Sequence, residues 1–191
     1  MENLVENISK SVAIELLFEE MPTRPTANAI FREARKIFGD INIINRDEND
    51  IEFSVDKFVA YNEDNTTSPV VLAMGNITDF DDKVAVSEFE RTQIWNVANS
   101  EELLSKYKYA VKIWDVNAQR QIPKERAIML VDWLNVALKL YPKCQAIWIK
   151  SAGKLQLAQS IKNLKETGIV KYLYSMVNIR FFNVPIQMNS L

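Results

Sequence analysis

Apolar and polar positions alternate near the start of the chain and then recur at helical spacing. Residues 12–20 are predicted as a strand, because Ile14 and Phe18 fall on the same face of the alternation. The next apolar residues lie three or four positions apart, as in an amphipathic helix: Ala27, Ile30, Phe31, Ala34 and Phe38. Thr26 is predicted to cap this helix and Gly39 to end it.

Three more strands and two short helices are predicted before residue 104. The strands lie over residues 41–45, 51–61 and 69–77. An Asp-Glu-Asn-Asp turn at 47–50 joins the first two strands. Ser87 and Glu90 have the spacing of a capping box and predict a helix that runs through Trp95. Ser100 is predicted to cap another helix.

The second half of the chain alternates strands with helices, which predicts a β-α-β-α-β unit. Its strands are predicted over residues 109–116, 146–150 and 179–184, and its helical segments over residues 123–141 and 155–177. The helix over 123–141 is apolar on more than one face, so we expect it at the centre of the fold. The chain is therefore predicted to be an α/β (α+β) protein with a mixed sheet. Its first strand-helix-strand-strand unit has the pattern of half a ferredoxin-like motif.

Several short motifs of the chain resemble those of one bacterial family. They are Arg91-Thr92-Gln93-Ile94-Trp95, Lys108-Tyr109-Ala110-Val111, Lys124-Glu125-Arg126-Ala127, Tyr141-Pro142-Lys143-Cys144-Gln145-Ala146-Ile147-Trp148 with Ser151-Ala152-Gly153-Lys154-Leu155, and Asn178-Ile179-Arg180-Phe181-Phe182-Asn183. The similarity covers about residues 12–184 and is to the family catalogued as domain of unknown function forty-two sixty-one. It implies a bacterial protein and carries over no activity. Family members continue into a segment with an Asp-Thr-Leu-Gly-like motif, so a role of that segment is not carried over either.

The composition fits a single domain over residues 1–191. We expect an acidic part at about 12–103, a basic part at about 104–184, and loose termini at 1–10 and 186–191. The chain is 48% hydrophobic, which suffices for a sizeable core. Its first six residues include acidic side chains where a signal peptide needs basic ones, and no apolar run reaches the roughly 18 residues that cross a bilayer. We therefore expect a cytoplasmic protein without membrane contact.

Histidine is absent, and Cys144 is the only cysteine. These two facts exclude histidine-dependent activation of a nucleophile, an internal disulfide and the usual zinc sites. The acidic run at Asp79, Asp81 and Asp82 lacks the spacing of a calcium loop and is typical of a solvated turn. Since no catalytic motif is recognisable, we expect binding rather than catalysis, and neither a metal nor a cofactor.

Charge is divided by position along the chain. Residues 1–103 hold 21 acidic and 9 basic side chains, whereas residues 104–191 hold 4 acidic and 14 basic ones. Unless the two parts neutralise each other, each presents a field of one sign that can select a partner. This favours a non-catalytic interaction module that binds an unknown protein partner or a second copy of itself. A sequence pI near 5.4 disfavours nucleic acid as the partner.

The candidate site follows the strand at 109–116, where basic residues surround the start of the next helix. The candidate residues for binding an anion or a partner are Arg120, Lys124, Arg126, Lys112, Lys154 and Ser151. Ile122 at the expected N-cap offers no side chain to the free N–H groups, so an external anion or an internal acidic patch would satisfy them. The alternative function is a small enzyme or binding protein for an anionic metabolite, with Asp115 as the base. This site assumes that the strands at 109–116 and 146–150 are parallel neighbours.

Overall fold

A seven-stranded sheet forms the centre of the fold in the computed structural model, which describes residues 11–47, 49–62, 64–94 and 97–178. The strands are β1 (Ala13–Phe18), β2 (Ile41–Arg46), β3 (Asp50–Tyr61), β4 (Thr67–Asp79), β5 (Tyr109–Val116), β6 (Ala146–Ile149) and β7 (Lys154–Leu157). The helices are α1 (Ala27–Phe38), α2 (Asp82–Ala85), α3 (Glu88–Gln93), α4 (Ser100–Lys106), α5 (Pro123–Leu140), α6 (Ala158–Asn163) and α7 (Gly168–Met176). Among the described residues, no helix combines the length and the hydropathy that crossing a membrane requires.

The strands follow the order β2-β3-β4-β5-β1-β6-β7, and each neighbouring pair is antiparallel. Helices and strands share one fold, so the predicted α+β class is confirmed. The sheet of the described strands is antiparallel rather than mixed, because β1 from the first half is inserted between β5 and β6 from the second. The acidic and basic parts of the chain are thus joined in one sheet.

Two split β-α-β units share the middle of this sheet. β1 and β4 run parallel with β5 between them, and β5 and β6 run parallel with β1 between them. The helices of the two units are α1 and α5. This is a ferredoxin-like arrangement, but it is built from other strands than the first half suggests. β1 pairs with neither β2 nor β3, which form a hairpin on the outer side of β4.

The main core lies on the face of the sheet that packs against α1, α5, α6 and α7. Trp133 of α5 is completely buried there, and its indole N–H donates to the carbonyl oxygen of Ala73 at 3.2 Å. The Trp133 ring also meets the Phe53 ring edge-on, with 5.3 Å between the ring centroids. Nine of the 18 residues of α5 are buried, which agrees with the prediction of a central helix.

A second, smaller core lies on the opposite face of the sheet, where α2, α3 and α4 follow β4. It contains Leu17 of β1, Leu104 of α4 and Trp148 of β6, each at most 1% exposed. Ile14 and Phe18 of β1 lie in the main core instead. The alternation predicted for residues 12–20 therefore separates two cores on the two faces of β1.

Local capping signals at α1 and α3 are confirmed. The Thr26 hydroxyl accepts a hydrogen bond from the backbone N–H of Ala29 at 3.2 Å, and Gly39 ends α1 with φ of 76°. Ser87 and Glu90 form both hydrogen bonds of the capping box at the start of α3. Thr26 and Gly39 thus mark the two ends of α1, and the capping box marks the start of α3.

Three predicted boundaries are wrong. α3 ends at Gln93 instead of running through Trp95, because Ile94 already has an extended backbone. Ser100 is the first residue of α4 rather than its cap, because Asn99 precedes it in the left-handed conformation, with φ of 55° and no capping side-chain bond. The segment 155–177 is not helical throughout: its start belongs to β7, where Leu155 pairs with β6 and packs into the second core. Trp95 and the predicted strand over 179–184 lie outside the described residues.

Candidate functional site

β5 and β6 end on the same side of the molecule, where strands antiparallel to β1 have their C-terminal ends. β5 and β6 run parallel, but they are not neighbours as predicted, since β1 separates them. The loop after β5 and the 3₁₀ turn Lys150–Ala152 after β6 therefore still follow the C-terminal ends of these two strands on that side. β5 and β6 are two strand spacings apart, or about 10 Å. The candidate residues are therefore divided between the loop after β5 and the turn after β6.

Asp115 and Arg126 form a buried ion pair that joins β5 to α5. The Arg126 Nε lies 2.6 Å from Asp115 Oδ2, and a terminal guanidinium nitrogen donates to Oδ1 at 3.1 Å. The backbone N–H of Val12 also donates to Oδ1, at 2.6 Å. The Asp115 side chain has no exposed surface. Both oxygens are occupied, so the pair holds β1, β5 and α5 together, and Asp115 has no solvent-facing oxygen for a substrate proton.

Lys154 satisfies the C-terminal end of α7. Its ammonium group donates to the carbonyl oxygens of Tyr174, at 2.6 Å, and Val177, at 2.7 Å. The last carbonyls of a helix lack partners within the helix, and a cation is favourable at that end of the helix dipole. Lys154 is 8% exposed, and burial lowers its pKa. It fastens α7 to β7 and does not face solvent as an anion ligand would.

Lys112 lies on the opposite face of the sheet from Asp115, because successive strand residues alternate between faces. Its ammonium nitrogen is 5.2 Å from the centroid of the Trp114 ring, and its cross-strand partner is Glu15. Burial raises the pKa of Glu15, while the charges of Lys112 and Lys150 act to lower it. Lys112 therefore belongs to a separate charged group on the other face.

Arg120 and Lys124 are exposed beside the start of α5. Asn117 turns the chain after β5 with φ of 61°, and Arg120 ends the 3₁₀ turn that follows. Ile122 occupies the N-cap of α5 without a side-chain hydrogen bond, and Pro123 is in the first turn, both as predicted. Arg120 and Lys124 are the two candidate cations that remain at the surface of this loop.

Ser151 lines a cavity of about 380 Å³ beside the start of β1. Tyr172 and Asn178 form part of its wall. The side-chain amide of Asn178 donates to the carbonyl oxygens of Gln93 and Gly153, and burial raises the pKa of Tyr172. Among the described residues that line this cavity, there is no lysine or arginine. The structure therefore does not bring Ser151 together with Arg120 and Lys124 in one anion site.

Other residues that the sequence singles out also have structural roles. Asp81 caps α2 by accepting the N–H of Lys83 at 3.0 Å, and Asp82 pairs with Arg91 at 2.8 Å. Cys144 is buried, and burial raises the pKa of its thiol to about 12, which keeps it unreactive at neutral pH. Within the part of the chain that the structure describes, no three carboxylate or thiol groups are placed to hold a metal ion.

The acidic side of the sheet was not identified from the sequence. We use this name for residues 40–79, which form β2, β3 and β4 and contain nine acidic and two basic side chains. Asp40, Asp56 and Asp79 are exposed there and form no ion pair with the described residues. Their local excess of charge is visible in the sequence, but that these strands are neighbours depends on the strand order.

Comparisons of this chain with protein-family models, curated proteins and solved structures found no match. The resemblance to a bacterial family, which depends on short motifs, therefore stays a prediction. The function has to be argued from the placement of charge and of exposed apolar surface in the molecule.

Proposed function

We propose that this protein is a non-catalytic interaction module whose separate acidic and basic surfaces bind other proteins. The observation that supports this most is the strand order. The acidic side occupies one side of the sheet, and the basic second half contributes β5, β6 and β7 to the other side. Because β2, β3 and β4 are neighbours, the acidic charge of residues 40–79 is gathered on one side of the sheet, where it would attract a partner of opposite charge.

Ion pairs of the described residues also join the two halves. Glu33 meets Lys139 at 2.7 Å, and Glu90 lies 3.7 Å from Lys150. Both acids lie outside the acidic side, on α1 and α3. These contacts fasten helices and leave the charge of residues 40–79 available at the surface.

The alternative, a small enzyme for an anionic metabolite, needs side chains that are not accessible to a substrate in this structure. Asp115 is buried against Arg126 and Val12, and a general base has to reach the proton that it removes. Lys154 is bound to the end of α7. Arg120 remains exposed, as does Lys124. Two exposed cations suit the binding of an acidic partner, so the geometry favours binding over catalysis.

Capture of partners from native lysate on the immobilised protein tests this proposal. We expect a protein that is retained at low salt and released by a salt step, because exposed charges are screened beyond about 8 Å at physiological ionic strength. The triple variant Asp40→Lys/Asp56→Lys/Asp79→Lys should lose that protein. Mass spectrometry of the eluate identifies what each variant retains.

A matched control separates the acidic side from net charge. The variant Glu19→Lys/Glu20→Lys/Glu88→Lys makes the same change in charge at exposed positions outside residues 40–79, so it should retain the partner. Equal loss in both triple variants would show a nonspecific charge effect and contradict the proposal.

The variant Arg120→Glu/Lys124→Glu tests separately whether a second partner binds to the basic surface. Arg126 is left unchanged because it neutralises the buried Asp115.

A further inference from the structure

β2 is the last strand of the sheet, and among the described residues its outer edge has no partner strand. Every second residue of an antiparallel edge strand directs its N–H and C=O groups away from the sheet, where another strand can pair with them. β2 has six residues, Ile-Asn-Ile-Ile-Asn-Arg, with no proline, and its one charged side chain, Arg46, is at its end. β7, at the other edge, has four residues. β2 is the longer template.

Two isoleucines of β2 are exposed to water. Ile43 is 49% exposed and Ile44 is 55% exposed, although β-branched side chains are most favourable when they pack against neighbours in a sheet. A β-bulge lies between Ile43 and Asn45, and both isoleucines beside it are exposed. The edge therefore offers free backbone groups together with apolar side chains that a further strand would cover.

Both ends of β2 are acidic. Residues 40–52 contain five acidic side chains and one basic one, with Asp40 before the strand and Asp47 after it. Hydrogen bonds from the backbone N–H of Asp50 and the side chain of Asn45 hold the pKa of Asp47 below its usual range, so it is ionised at neutral pH. A second copy would bring the same charges to this edge and be repelled. A basic segment would be attracted.

We propose that β2 accepts an extended segment of a protein partner, rich in lysine or arginine, as an eighth strand of the sheet. This inference rests on the proposed function, because the acidic side selects the partner. Main-chain hydrogen bonds to β2 supply affinity, and alternate side chains supply specificity. Basic side chains of the segment lie near Asp40 and Asp47, and apolar ones cover Ile43 and Ile44.

A synthetic peptide tests the mode of binding. The probe is a blocked, fluorescent peptide of about nine residues that alternates lysine and valine, long enough to cover β2. Two further versions are N-methylated, one at its valines and one at its lysines, so each lacks the N–H groups along one edge. We expect the unmodified peptide to bind in fluorescence anisotropy, and at least one methylated version to bind at least tenfold more weakly. Amide hydrogen exchange of residues 41–46 should slow in the complex.

Paired variants test the place of binding. Ile43→Asn/Ile44→Asn removes the exposed apolar side chains of β2 without a change in charge, and should weaken binding of the unmodified peptide at least tenfold. Val84→Asn/Phe89→Asn makes the same kind of change at two other exposed apolar residues, 81% and 73% exposed, and should leave binding unchanged. Urea unfolding of both variants confirms that they are folded under the binding conditions.

The outcomes separate this inference from the proposed function. Equal affinity for all three peptides would overturn strand pairing. The proposed function would survive that result if binding still weakened with salt and in the Asp40→Lys/Asp56→Lys/Asp79→Lys variant. No binding of the unmodified peptide would also overturn the inference, while lysate capture judges the proposed function independently. A dimer that depends on Ile43 and Ile44 in analytical ultracentrifugation would assign the edge to a second copy and overturn the choice of partner.

Discussion

Two regions of the molecule contain charged side chains in different surroundings. The first is where β5 and β6 end, and the second is the acidic side. In the first region the Asp115 side chain has no exposed surface. The Nε of its partner Arg126 lies 2.6 Å from Asp115 Oδ2, and the Arg126 side chain is 15% exposed. Lys154, close by in β7, donates to two backbone carbonyls. On the acidic side, Asp40 and Asp79 are exposed and form no ion pair with the described residues.

The difference shows that burial decides what a charged side chain does in this protein. A buried charge has to be satisfied by its own chain, because removing an ion from water costs several kcal/mol. An exposed ion pair contributes roughly 0 to 1 kcal/mol to stability, so an exposed charge can be left unpaired at little cost and can attract a partner. Asp115 and Arg126 therefore satisfy each other within the fold, whereas the exposed charges of β2–β4 are those on which the proposed function rests.

Replacement of Arg126 tests the first half of this comparison and should have the largest effect. Arg126→Met leaves the Asp115 carboxylate buried with the N–H of Val12 as its remaining donor among the described residues. We expect the free energy of unfolding to fall by about 3–5 kcal/mol, the usual cost of removing one partner from a buried ion pair. Urea denaturation with linear extrapolation measures this change.

Lys124→Met is the control for this experiment. Lys124 is exposed and lies in the same first turn of α5 as Arg126. Its removal should therefore change the unfolding free energy by less than about 0.5 kcal/mol. Similar losses in the two variants would contradict the view that burial, rather than position at the start of α5, distinguishes Arg126.

Replacement of Lys154 should have a smaller effect. Lys154→Met removes the donor to the carbonyl oxygens of Tyr174 and Val177 but keeps most of the apolar stem. The Val177 carbonyl then lacks this donor, while the side-chain amide of Gln156 still reaches the Tyr174 carbonyl at 3.1 Å. We expect a loss of about 1–3 kcal/mol, and hydrogen exchange in α7 should accelerate before global unfolding. The exposed Lys165 provides the control through Lys165→Met. Unchanged exchange in α7 would show that Lys154 does not hold this helix.

Elements with strong local signals could be predicted from the sequence. The strand over residues 109–116 has the predicted bounds, because its apolar residues alternate, with Val111 and Ile113 in the main core and Ala110 in the second core. α1 begins after Thr26 and ends before Gly39, as predicted. Both signals depend on residues close together in the chain, so neighbouring sequence contains all the information that they need.

The strand order and the partners of buried charges could not be predicted, because they depend on contacts distant in sequence. Lys154 and Leu155 belong to a strand of four residues, and its pairing with β6 is what identifies it as a strand. Arg126 was correctly placed at the start of a helix, but its distance from Asp115 follows from how α5 packs on β5. The acidic side likewise arises from the order β2-β3-β4.

Glu33 of α1 lies between the two extremes of the comparison and should show the smallest effect. Its carboxylate forms an ion pair with Lys139 of α5, at 2.7 Å, and accepts a hydrogen bond from Lys36, at 2.6 Å. These bonds lower the pKa of Glu33 from 4.5 to about 2. Since the folded-state pKa is below the unfolded one, the stabilisation is present above pH 4.5 and is lost as the pH falls towards 2.

Glu33→Gln should therefore lower stability at neutral pH and reduce the acid-side slope of stability against pH, so that the variant and the wild type converge near pH 2. Urea unfolding at a series of pH values measures both curves, with Glu20→Gln as an exposed control. Both lysines are more than half exposed, so 1 M salt, with a Debye length of about 3 Å, should reduce the difference. Parallel curves at all pH values would show that this carboxylate behaves like the unpaired ones of the acidic side, and that the link between α1 and α5 is apolar packing alone.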